Sequence, residues 1–214
     1  MAVRAATRLA QVLAMAGLVL PPLASAEIPV VIDVEGLVAM GYVSRQPIPP
    51  EARLSDQMLA VHGVLFSSGA PYVAVVNLGL GHATSGVNGM GGSTPEGILT
   101  YASTNPVVFR FFDLGNPQVP GVTDFVSVRG DMIGHGQPIV NAYDLNGVLV
   151  DSDRVVDSGG AVLTVAGSGI HRVEFLGTQD DGGVALDDVT FNPVATPPTA
   201  AASTTWGKVK ALYR

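Results

Sequence analysis

The sequence predicts an all-β fold, a two-sheet antiparallel β-sandwich, and three observations carry that expectation. From 27 to 192 apolar residues fall in short alternating or continuous runs, and stretches at helical spacing are nearly absent. Gly and Pro, 26 and 15 residues in a chain of 214, interrupt those runs too often for long helices. The segment AYDLNGVLVDS sets Asp144, Leu145, Asn146 and Gly147 between two β-rich runs. Asp caps such a turn, and Asn and Gly tolerate positive φ, so a hairpin loop ending on a left-handed glycine is expected there.

The elements follow in chain order. MAVRAATR carries Arg4 and Arg8, LAQVLAMAGLVL is an apolar stretch, and PPLASA ends in an A-x-A site. That pattern predicts a signal helix over 1–26, cleaved on export, because its apolar part is too short to span a bilayer about 30 Å thick. Strands are expected in IPVVIDVEG (28–36), LAVHGVLFS (59–67), YVAVVNLG (72–79), PVVFRFFDL (106–114) and TDFVSVRG (123–130). Five more follow in PIVNAYD (138–144), GVLVDS (147–152), AVLTVAG (161–167), IHRVEFLG (170–177) and GVALDDVTF (183–191). Between them NLGLGHATSGVNGMGGSTPEG (77–97) holds seven glycines and no expected strand. A long irregular loop in a compact domain is either flexible or functional; as a ligand loop it would offer His82 and Asn88. The domain is expected over 27–194, a Pro/Ala/Thr linker over 195–203, and a short amphipathic basic helical tail, TWGKVKALYR with its neighbours, over 204–214.

Composition excludes several partners. Loss of 1–26 leaves nine basic against eighteen acidic residues, moving the net charge from −7 to −9, which argues against nucleic acid or an anionic membrane. No later stretch is apolar enough for a transmembrane helix. An exported chain without cysteine has no disulfide framework, so its fold rests on the core or on a metal. No cysteine nucleophile, G-x-S-x-G elbow or H-E-x-x-H motif occurs, and His62, His82, His135 and His171 lie on separate segments at no ligand spacing. His62 and His171 read as hydrogen-bonded strand residues, and His135 beside Asp131 is the histidine worth testing.

The acidic residues at the two ends of the domain are more specific. Alternation in VVIDVEG puts Asp33 and Glu35 on one face of the first strand. In GVALDDVTF it puts Asp187 on the apolar face of Val189 and Phe191, with Asp188 opposite. A buried carboxylate needs a partner. The first and last strands of Greek-key sandwiches are often neighbours, which would gather these carboxylates around a structural calcium ion. The alternatives are solvated edge carboxylates, or an Asp187 ion pair with Arg129 or Arg172.

VVIDVEGL, SDQMLAVHGVLFSS, AYDLNGVLVDS and HRVEFLGTQDDGGVALDDVTF together resemble the exported bacterial β-sandwich domains of PEP-CTERM-type surface proteins. Those domains are similar in turn to galactose-binding-like jelly rolls and carbohydrate-binding modules. The resemblance implies a jelly-roll fold and a structural Ca²⁺ held by Glu35 and Asp187, with Asp33 and Asp188 as further ligands. At the end of the chain no Pro-Glu-Pro motif or hydrophobic helix stands, only TTWGKVKALYR, a tail suited to docking on a surface or sorting partner. The expected function is a non-catalytic secreted or cell-surface module for adhesion, matrix assembly or glycan binding, located outside the cell, on its surface or in the periplasm. The alternatives are a polysaccharide hydrolase using carboxylates such as Asp131 and Asp180, or a structural envelope protein retained by its tail. Aromatic residues make up only 6% of the chain, so few stacking platforms exist for sugars; Tyr42, Tyr72, Tyr101 and Tyr143 are the available ones. Phe109, Phe111, Phe112, Phe125, Phe175 and Phe191 are expected in the core.

Overall fold

In a computed structural model of the chain, residues 27–41, 46–69, 71–81, 83, 85–95, 106–131, 138–155, 161–176 and 185–197 are described. The strands are β1 (Val30–Ile32), β2 (Met40–Gly41), β3 (Val64–Ser68), β4 (Tyr72–Asn77), β5 (Asn88–Ser93) and β6 (Val107–Phe111). They continue as β7 (Thr123–Asp131), β8 (Ile139–Tyr143), β9 (Leu149–Arg154), β10 (Ala161–Ile170), β11 (Arg172–Leu176) and β12 (Ala185–Phe191). A 3₁₀ turn at Pro50–Ala52 and one helical turn, α1 (Leu59–His62), are the helical elements among the described residues. The expected signal helix, the residues from 198 onward with the tail, His82, His135, Asp180, Tyr42 and Tyr101 lie outside the described residues.

Two sheets form the sandwich. One runs in the order β10-β7-β12-β5-β4-β2, with β1 paired to β12, and the other in the order β3-β6-β11-β8-β9. All pairings are antiparallel except β2 with β4. The first and last strands are neighbours, with Val30 opposite Phe191 and Ile32 opposite Val189. The core lies between the sheets, on the inward face of each: Phe66, Phe109, Phe111, Phe175, Val126, Leu163 and Phe191 are buried, and Phe111 of one sheet meets Phe191 of the other at 5.2 Å between ring centroids. Burying side chains of this size contributes about 1.5–3 kcal/mol each. Phe112 and Phe125, expected in the core, are only partly buried.

Three local expectations are corrected. LAVHG makes the helical turn α1 rather than a strand start, so His62 ends a helical turn capped by Gly63 and the strand begins at Val64. The glycine-rich segment contains a strand after all: NGMGGS forms β5, buried along its length. Its glycines answer to close packing, since a Cβ on Gly89 would stand 2.7 Å from Leu78 Cδ1 and 3.0 Å from the Leu186 carbonyl oxygen. Finally, β12 breaks its alternation. Leu186 pairs with Gly130 and Val189 with Val128, so an extra residue bulges at 187–188. The bulge places Leu186 in the core with Val189 and Phe191, and Asp187 is buried next to it.

The sheet margins are closed by side chains and loops. The second face of β4 is covered by the segment before it, where Met40, Ile48, Ala52, Ala74, Val76 and Leu78 form a small buried cluster. At the open side, Asp153 accepts the Thr164 N–H at 2.8 Å and Asp151 the Ala166 N–H at 2.9 Å, so β9 caps donors that edge strand β10 would otherwise present. After β12 the chain pairs once more, Ala195 and Val122 exchanging N–H···O bonds of 2.8 Å.

Candidate functional site

Asp187 is fully buried and its partner is Ser85, whose N–H donates to Oδ2 at 2.7 Å and whose hydroxyl donates to Oδ1 at 2.9 Å. Glu35 holds the next residues of the same segment: its Oε1 accepts the Val87 N–H at 3.0 Å and the Asn88 N–H at 2.7 Å. Residues 85–88 therefore form a latch between the exit of the first strand and the bulge of the last. Gly86 sits at its centre with φ +127°, and a Cβ there would stand 2.5 Å from Glu35 Cδ. Asp33 is exposed and accepts the Glu35 N–H at 3.3 Å. The Asp188 carboxyl is held above its ordinary range by burial first, with the charges of Asp187 and Asp33 adding to it; a Ser85 hydrogen bond and Arg129 act the other way.

The latch thus gathers Asp33, Glu35, Asn88, Asp187 and Asp188, while His82 lies outside the described residues. Among the described residues no three acidic or histidine side chains enclose a single metal position. Asn88 is buried, its Nδ2 donates to the Val34 carbonyl at 3.2 Å, and its Oδ1 has no hydrogen-bond partner among the described residues. A buried carbonyl oxygen without a hydrogen-bond donor is a ligand type that calcium accepts. Sequence reasoning missed Ser85, whose signal is only its place in a glycine-rich loop. Of the two arginines proposed for Asp187, Arg172 pairs with Glu174.

A second constellation lies on the outer face of the five-stranded sheet. In β11, Val173 and Phe175 point into the core, so Arg172, Glu174 and Leu176 point out. Register then fixes their neighbours: Arg172 lies opposite Arg110 on one side and Tyr143 on the other, and Glu174 opposite Asn141. Asn141 lies opposite Ser152, whose hydroxyl donates to its Oδ1 at 2.8 Å, and Ile139 lies opposite Arg154. Arg110 Nη1 donates to Ser67 Oγ at 2.9 Å. Arg172 Nη1 donates to Glu174, and its guanidinium stands 4.2 Å above the Tyr143 ring. The Tyr143 hydroxyl is raised above the usual phenol range by burial and then by the Glu174 charge and hydrogen bond, with Arg172 opposing. The face is a row of fixed planar and hydroxyl groups spanning β3 to β9.

Among the described residues, Tyr72 and Tyr143 are not bare stacking platforms. Arg53 lies 4.3 Å over the Tyr72 ring as Arg172 lies over Tyr143. His171 is hydrogen-bonded, as expected, its Nδ1 lying 2.9 Å from the Gly121 carbonyl oxygen.

Among solved structures, this chain is similar to CsCBM6-3 from Clostridium stercorarium in complex with cellobiose: 13% identity over 59% of this chain and 86% of that one, TM-score 0.34. It is also similar to a family 6 carbohydrate-binding module whose binding sub-sites were dissected by crystallography and calorimetry, at 13% identity, 62% and 94% coverage and TM-score 0.35. A third is the enzymatically active domain of tailspike protein 4 from bacteriophage CBA120, at 12% identity and TM-score 0.27, covering 68% of this chain and 21% of that one. No protein-family model matches the chain, and no curated protein does.

Proposed function

We propose that the protein is a non-catalytic polysaccharide-binding module whose glycan lies across the outer face of the five-stranded sheet. One observation carries this reading: Ser67, Arg110, Arg172, Glu174, Tyr143, Asn141 and Ser152 form a polar row on adjacent strands, hydrogen-bonded in three groups, Ser67 with Arg110, Arg172 and Tyr143 with Glu174, and Ser152 with Asn141. Protein interfaces are centred on apolar residues, whereas vicinal sugar hydroxyls need fixed donors and acceptors at close spacing. A sheet supplies both that spacing and the rigidity, with strands about 4.8 Å apart. The export signal and the −9 balance after its removal fit a role outside the cell, with the basic tail as a retention element. In the same proposal a structural calcium ion is held by Glu35, Asp187 and Asn88 Oδ1, where it supplies positive charge to the latch.

The test is affinity electrophoresis of the full-length protein through a panel of soluble polysaccharides, with reducing ends assayed in parallel. Retardation by at least one glycan, lost in Arg172→Ala and Asn141→Ala at unchanged melting temperature and with no new reducing ends, is the expected result. Turnover of a bound glycan would favour the hydrolase reading, and no retardation by any polysaccharide would remove the proposal.

A further inference from the structure

The outer face has a charge that the rest of the molecule does not share. Of the five arginines among the described residues, Arg110, Arg154 and Arg172 project from this one face, and Glu174 is the carboxylate that its strands project beside them. The face therefore carries two positive charges in excess, in a chain whose formal net charge is −7. Arg110 and Arg172 are also direct cross-strand partners. Like charges opposite each other weaken a sheet, and here only one of the two is neutralised, Arg172 by Glu174. Arg110 gives one donor to Ser67 and pairs with no carboxylate among the described residues. A local rule broken without compensation inside the fold points to a group from outside.

We infer, building on the glycan-binding reading, that the ligand is an acidic polysaccharide whose sugars carry carboxylates, one of which sits between Arg110 and Arg172. A planar carboxylate matches the arginine fork with two parallel N–H···O bonds, which a neutral hydroxyl does not. Asn141, Ser152 and Ser67 then meet ring hydroxyls on either side. From β6 to β8 is two strand steps, about 10 Å, so a chain crossing the strands passes Arg110, Arg172 and Tyr143 in one row, while Arg154 stands opposite Ile139 at the other end of β8. The acidic remainder of the molecule does not forbid this, since charges more than about 8 Å away are largely screened at physiological salt.

The deciding comparison is polygalacturonate against the same polymer with its carboxylates methyl-esterified, measured by isothermal titration with the full-length protein at 0.15 M ionic strength. Expected is binding of the free acid at least about tenfold tighter than of the ester, with the difference abolished in Arg110→Gln and partly kept in Arg110→Lys. Thermal unfolding of each variant checks that it is folded, and Arg110→Lys keeps the test open should the glutamine variant fail to fold. Equal affinity for acid and ester, or binding confined to neutral glucans, overturns the inference and leaves the glycan-binding reading standing. Binding of no polysaccharide overturns both.

Discussion

Replacing Asp187 by alanine isolates the latch. The side chain is fully buried and accepts two bonds from Ser85, at 2.7 and 2.9 Å. Removing it strands a backbone N–H, at roughly 1–3 kcal/mol, and frees a hydroxyl that can rotate to another acceptor at lower cost, so the total is about 2–4 kcal/mol. At about 2–4 °C per kcal/mol for a domain of this size, the melting temperature should fall by about 4–16 °C. The same assay separates calcium from the hydrogen bonds. Calcium at a hundredfold over its dissociation constant adds about 2.7 kcal/mol, and chelator removes that increment while leaving the Ser85 bonds. Differential scanning calorimetry of the wild type and Asp187→Ala, each with calcium and with chelator, gives four melting temperatures. The variant should be lower under both conditions and lose its response to calcium. A variant within about 1 kcal/mol of wild type in chelator would refute the argument from burial and hydrogen bonding. A wild type indifferent to calcium would remove the ion and leave the latch.

Three further outcomes follow from the same geometry. Gly86→Ala places a Cβ against the Glu35 carboxyl at a φ of +127° and should cost about 1–3 kcal/mol in urea unfolding; a neutral result would mean that the segment relaxes without strain. Asp151→Ala with Asp153→Ala uncovers the Thr164 and Ala166 donors of edge strand β10, so light scattering on heating should show earlier association, and unchanged onset would deny the edge-capping role. Asp188 has a folded pKa raised above 3.8 by burial, so the folded state binds its proton more tightly and the stability it contributes falls as pH rises through the interval above 3.8. Asp188→Asn should flatten that part of the stability profile and compare best with wild type at neutral pH; parallel profiles would exclude the effect.

Much of the fold was legible because it depends on period. PVVFRFFDL and HRVEFLG alternate cleanly, and with Phe109, Phe111, Val173 and Phe175 assigned inward the same rule sends Arg110, Arg172 and Glu174 outward. That they stand side by side depends on β11 lying between β6 and β8, a matter of sheet order, which period does not encode. At β5 the sequence misled because glycines that mark loops also permit close packing, here beneath Leu78 and the Leu186 carbonyl. At the other acidic end, unbroken alternation in ALDDVTF would send Leu186 outward, and the bulge at 187–188 brings it inward while Asp187 stays buried. The reasoning that a carboxylate there must have a partner nevertheless holds, since Ser85 supplies it from 102 residues away in sequence.

The two constellations belong to different sheets, and this bears on what each does. The latch ties β12 and the exit of β1 in the seven-stranded sheet, while the arginine row stands on the outer face of the five-stranded sheet, with the aromatic core between them. Perturbations at sites separated by a packed core and sharing no partner add independently, within a few tenths of a kcal/mol. Asp187→Ala should therefore lower stability without changing glycan affinity, and Arg110→Gln should change affinity without altering the response to calcium. Coupling between the two would mean that the latch shapes the binding face through the core. Independence assigns the buried carboxylate to holding the first and last strands together, and leaves recognition to side chains that the core does not need.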